Sequence, residues 1–152
     1  MSRVQMISKG LDCTTTLGNL LQPFASLGTR VWVAKVVFEA GMSKFQNWEN
    51  TKLLFTKKYQ IPYISPEHAA ILGTGIEIVL PVFLALGLGA RLPALILMIY
   101  HVATVICYPF LLTPEGSVAL QQHIVCGLLL LCCLSYGPGK LSGDYFLTKK
   151  DT

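Results

Sequence analysis

Four apolar stretches, at about Leu27–Phe45, Ala69–Leu88, Leu92–Leu112 and Val118–Tyr136, dominate this chain, and each holds a residue that hydrocarbon tolerates poorly. A helix of about 20 residues rising about 1.5 Å each spans the apolar layer of a bilayer. Inside these stretches lie Lys35, Glu39, Glu77, His101 and His123. Ionisable groups at such depth face a protein interior or pair with one another. The pattern predicts an all-α integral membrane protein, a four-helix bundle with a polar interior. It forms a single membrane domain over residues 1–152.

Composition narrows the class further. Only 13% of the residues are charged and the mean hydropathy is +0.56, outside the usual soluble range. The spans use about half of the chain and leave no room for a separate soluble domain. The formal charge of +4 is scattered, which excludes nucleic acid as a partner and leaves the lipid bilayer. Residues 1–26 carry Arg3 and Lys9 without the apolar core of a cleavable leader, so the first span is expected to act as the insertion signal. Leu17–Phe24 is expected to form a short helix at the interface.

The loop charges set the orientation. With the N-terminus in the cytoplasm, Arg3, Lys9, Arg30, Arg91, Lys140, Lys149 and Lys150 fall inside, and Lys52, Lys57 and Lys58 fall outside. Both termini are therefore expected to be cytoplasmic. Within the first outer loop, Trp48, Phe55 and Tyr59 follow helical spacing with the lysines largely on other faces. Residues 46–60 read as an interfacial helix, either a connector or a lid over the outer mouth. Ile61–Pro66 should be extended, because residues before proline avoid helix. Ser65 and Pro66 make a suitable N-cap and first-turn pair for the second span.

The second span concentrates the chemistry. Pro81 cannot donate the hydrogen bond that the carbonyl of residue 77 would accept, and residue 77 is a glutamate. A free carbonyl and a carboxyl group therefore coincide. They can form a binding site at a helix break, or Glu77 can pair with Lys35 or Lys44. In the first span, Trp32, Lys35, Glu39 and Met42 share a face, and Lys35 and Glu39 can neutralise each other. Glu39, Glu77, His101 and His123 could meet in the outer half of one bundle, with Lys35 nearby and Arg91 at an inner helix end. His123 and Cys126 are three apart, yet no second ligand pair accompanies them, so neither metal nor haem is expected. The five cysteines include no CxxC pair and read as small apolar residues.

The order of these features resembles the DoxX family of small four-helix bacterial membrane proteins. The resemblance rests on Arg30–Phe45, on Ile61-Pro62 and Ser65-Pro66, and on Thr74-Gly-Ile-Glu77-Ile-Val-Leu-Pro81. It continues through Leu86-Gly87-Leu-Gly-Ala-Arg91, Tyr108-Pro109, His123 and the closing Gly137-Pro138-Gly139 to Asp144. Glu77, Arg91, His123 and Asp144 match the family's recurrent polar positions, while Ile124-Val125-Cys126 and Gly143 depart from its pattern. The resemblance implies a bacterial inner-membrane, multi-pass protein linked to redox or oxidative-stress systems. A quinone between the helices, with His101 or His123 and Glu77 as its polar contacts, is the ligand that such a role needs. Electrons would come from a redox partner protein, so no enzymatic activity of the chain alone is expected. A small transporter or solute-binding membrane protein built around Glu77 and Pro81 is the alternative, as is a structural partner of another membrane protein. Self-association into a homo-oligomer is compatible with each.

The topology gives the first prediction. Reporter fusions after Thr152 and near Gln60 should give opposite signals, cytoplasmic and external respectively; a reporter at Thr152 that reads as external would overturn the orientation.

Overall fold

The computed structural model describes residues 3–59 and 61–148, and the side chains of 12 and 14–147 apart from residues 13 and 60. Gln60 and residues 149–152 lie outside it, as do the side chains of Arg3 and Lys9, so those parts of the loop-charge argument are not located. The described residues are all helical or connecting, with no strand among them. Helix α1 is Arg3–Gln46, α2 Trp48–Lys57, α3 Pro66–Leu86, α4 Arg91–Cys107, α5 Ser117–Tyr136 and α6 Gly143–Thr148, with a short 3-10 turn at Pro109–Leu112 before α5.

Helices α3 and α5 are long and apolar enough to cross a membrane, and α4 is a shorter apolar helix of 17 residues. At 44 residues, α1 is about 66 Å long, roughly twice the apolar thickness of a bilayer. Residues 17–24, expected to form a separate interfacial helix, are part of α1. Hydropathy marks how deep a segment can sit but does not end a helix. Pro23 removes one backbone bond inside α1 and the helix continues through it.

Both ends of α3 have local causes. Ser65 caps α3 as expected: its hydroxyl accepts from the His68 amide and lies 2.5 Å from the His68 ring, with Pro66 in the first turn. Ser65 itself is extended, but Tyr63 takes a φ of 69°, so the 61–66 linker is not extended throughout. The restriction before proline acts on Ile61 and Ser65 and leaves Tyr63 free to turn. At the other end of α3, Gly87 takes the left-handed conformation that closes the helix.

α1 packs on α3, α3 on α4, α4 on α5, and α5 returns to α1. Val33, Val37, Leu84, Ala94, Leu97 and Leu130 form the apolar centre. α1 and α3 approach closely at Gly41. A Cβ there would stand 2.8 Å from the Glu77 Cβ and 3.0 Å from the Glu77 carbonyl carbon. Neither is a flexible chain end that could swing away.

Gly41→Ala should therefore destabilise the protein by about 1–3 kcal/mol through overpacking. The same change at Gly127, where nothing lies within 4 Å, should be neutral or stabilising through helix propensity. Thermal unfolding in detergent compares them, and equal effects would contradict the close α1–α3 approach.

Candidate functional site

The polar centre lies toward the α2 end of the packed helices and begins at the α1–α3 contact. Gly41 admits the backbone of Glu77, and one turn later Lys44 points across to its carboxylate. Lys44 Nζ donates to Glu77 Oε1 at 2.5 Å and Oε2 at 2.6 Å. The Glu77 side chain is only 6% exposed and that of Lys44 only 18%. From α4, the Tyr100 hydroxyl donates to Oε1 at 3.1 Å. Of the partners open to Glu77 in the sequence, Lys44 is the one it takes.

Helix α2 sits against this pair. The Thr51 hydroxyl donates to the Lys44 carbonyl at 2.9 Å, tying the helix to the end of α1. Phe55 is buried and stacks on Tyr59, which stacks on Tyr108, which in turn meets Phe110. Lys58 stands 5.0 Å from the centre of the Phe110 ring. Gly73 makes room beneath, since a Cβ there would be 2.9 Å from the Tyr100 hydroxyl and 3.5 Å from Phe55. Burial, reinforced by the nearby Glu77 charge, pushes the Tyr59 phenol far above the ordinary tyrosine range.

The two histidines meet beside the pair. His101 and His123 approach edge to face with ring centres 5.1 Å apart, and the Tyr100 ring lies 6.3 Å from His101. His101 Nδ1 is 3.0 Å from the Leu97 carbonyl, which can only accept, so Nδ1 carries a proton and Nε2 is the nitrogen that accepts when the ring is neutral. His123 Nδ1 is buried without a hydrogen-bond partner. Thr74 Oγ1, one turn from Glu77, is also buried and unpartnered. Helical Thr29, Thr56 and Thr104 each bond a carbonyl four residues back. Thr74 does not, and it lines a crevice of about 660 Å³ between α3 and the Phe45–Trp48 corner.

Lys35 and Glu39 do not join this centre. They lie 3.7 Å apart on the outward side of α1, with side chains 69% and 64% exposed. Their face repeats correctly, but the side of α1 that meets α3 and α5 is the opposite one, carrying Arg30, Val33, Ala34, Val37 and Gly41. Arg91 is also elsewhere. Its guanidinium lies against Gly137 at the far end of the helices, where a Cβ would come within 3.1–3.5 Å of it.

That far end holds a second polar cluster. Arg30 is fully buried and donates to the Leu141 carbonyl at 2.6 Å. Asp144 accepts from the amides of Gly89 and Ala90 at 2.8 and 3.4 Å, holding α6 to the start of α4. Sequence reasoning missed Arg30, Tyr100 and Thr74. A tyrosine in mid-span, away from the interfaces where tyrosines gather, was the signal for Tyr100.

These features define an all-helical protein with membrane-capable helices around a buried ionic and imidazole centre. The DoxX family model matches residues 25–109, over half of the chain. The chain belongs to the DoxX family and is a membrane protein of that family. No curated protein and no solved structure matches it.

Removing one member of a buried ion pair leaves the other charge uncompensated and costs about 3–5 kcal/mol. Glu77→Gln should therefore unfold at markedly lower temperature than the wild type. Replacing both partners, Lys44→Met with Glu77→Leu, should recover most of that loss. A stable Glu77→Gln variant, or a double variant no better than the single, would contradict the pairing.

Proposed function

We propose that this chain spans the bacterial inner membrane as a four-helix bundle of α1, α3, α4 and α5, with α2 at the outer interface and both termini in the cytoplasm. In this reading it serves a redox or oxidative-stress system by binding a quinone between its helices. The carrying observation is the unpartnered, buried Nδ1 of His123 beside His101. A buried polar atom without a partner is rare and costly. A quinone ring oxygen would satisfy it, as acceptor from an Nδ1–H or, in the quinol, as donor to the free nitrogen. Leu97, one turn before His101, and Cys126, one turn after His123, are buried apolar residues on the same helices.

The residues divide the work by chemistry. Glu77 is saturated by Lys44 and Tyr100, so it fixes the helices and is not the group that meets a ligand. His123 and the acceptor nitrogen of His101 are the groups free to exchange a proton with a reduced ring. Reducing a quinone to quinol takes two electrons and two protons. The histidines handle protons, and the electrons come from a redox partner protein, because the sequence has no CxxC pair or cluster motif. The crevice lined by Thr74 gives a lipid-soluble molecule an apolar surface one turn of α3 from Glu77.

Quinone extracted from protein purified out of native membranes tests this reading. The wild type should carry it in stoichiometric amount, and His123→Leu should bind added quinone about tenfold more weakly, the loss of roughly one buried hydrogen bond. A wild type that is quinone-free and gains no thermal stability on quinone addition would overturn it. Uptake of a labelled solute into vesicles would instead support the transport alternative.

A further inference from the structure

One face of α1 has no partner among the described residues, and it carries the Lys35–Glu39 pair. Gly41 packs on Glu77, which lies midway along α3, and Glu39 is only about 3 Å further along the axis. The pair therefore sits near the middle of the membrane-spanning part of α1. With 69% and 64% of these side chains exposed, an isolated chain would present a carboxylate and an ammonium to hydrocarbon. Charges at that depth are covered by protein or water. They form an ion pair at 3.7 Å, in the weaker of the two helical orders, and both side chains stay open to a further partner.

The same face continues past the end of α3. Arg30 is level with Gly87, the end of α3, so the portion of α1 before it extends past α3. There Leu17, Leu21 and Phe24 are 55%, 52% and 63% exposed. They repeat at intervals of four and three, the spacing of helices that pair along a seam. Lys35 and Glu39 lie on the same side of the helix at compatible spacing.

We propose that this face is the interface of a parallel, two-fold homodimer, in which Lys35 of each copy pairs with the partner's Glu39. A two-fold axis along the membrane normal brings the same face of both copies together and keeps each residue at its own depth. Lys35 is then level with its own copy and reaches the partner's Glu39 one turn away, so each charge has two unlike neighbours and one like neighbour. A different partner would need its own matching pair of charges at the same depth. The four charges then close into a ring shielded from lipid, and the leucines and Phe24 zip the cytoplasmic extension of α1. This inference rests on the proposed four-span topology and is independent of what the His123 site binds.

Single-molecule photobleaching of labelled chains in sparse vesicles tests it. The wild type should bleach in two steps. Lys35→Glu and Glu39→Lys should each place four like charges together and reduce dimers at least tenfold, while co-expression of these two variants, or the double exchange in one chain, should restore them. A photo-crosslinking residue at Met42 should also give covalent dimers of otherwise unaltered protein, and one at the lipid-facing Val102 of α4 should not. Single-step bleaching of the wild type, dimers that persist in both charge variants, or capture of a different protein by the Met42 probe would each overturn the proposal.

Discussion

The contact between Lys44 and Glu77 is the constraint around which the α2 end of this molecule is arranged. A carboxylate and an ammonium both removed from water hold together only when their geometry is good and their remaining atoms are satisfied. Here both carboxylate oxygens receive Lys44, and Tyr100 adds a third donor. That requirement fixes the neighbours. Gly41 must be small so that α1 can reach α3, and Gly73 must be small so that Tyr100 and Phe55 can close over the pair. Because Thr51 bonds the Lys44 carbonyl, α2 is anchored to the same residue that carries the charge. Pro81, one turn further along α3, has no N–H to donate to the residue 77 carbonyl.

The two ends of the molecule solve different problems. At the α2 end, side chains of three helices converge on one carboxylate and leave the two histidines beside it with acceptor or unpartnered nitrogens. At the opposite end, Arg30 and Asp144 bind backbone, holding the 137–148 segment and the α3–α4 turn to α1. Between them lies the apolar centre of Val33, Val37, Leu84, Leu97 and Leu130. The four polar positions that mark the family resemblance thus separate into a pair near the proposed ligand, Glu77 and His123, and a pair at the far end, Arg91 and Asp144. Glu77 ties α3 to α1 and α4, and the far pair holds the 137–148 segment against the α3–α4 turn and the start of α4.

Much of this was legible from residue order because the strongest signals are local. Ser65-Pro66 announces the start of α3, and the apolar spacing of Trp48, Phe55 and Tyr59 announces α2. Lys44 was one of two cations that the position of Glu77 made available. What could not be read was direction. Periodicity groups Trp32, Lys35, Glu39 and Met42 on one face but says nothing about which face meets α3, and small residues at Ala34 and Gly41 decide it by permitting close approach. Tyr100 was hidden for the same reason, since its role depends on which turn of α4 lies opposite Glu77. Arg30 looked like a charge at a helix end, and only the return of residues 137–148 buries it. The continuity of α1 was also hidden, because a drop in hydropathy looks like a boundary when the backbone has none.

The central claim, that the Lys44–Glu77 contact organises the α2 end and not the whole molecule, is tested most directly by residue-resolved hydrogen exchange in bilayers of the wild type and Lys44→Met. The account predicts faster exchange of amides in α2 and in the first half of α3, with the Arg30–Asp144 end unchanged. Uniform acceleration along every helix, or no change in α2, would contradict it.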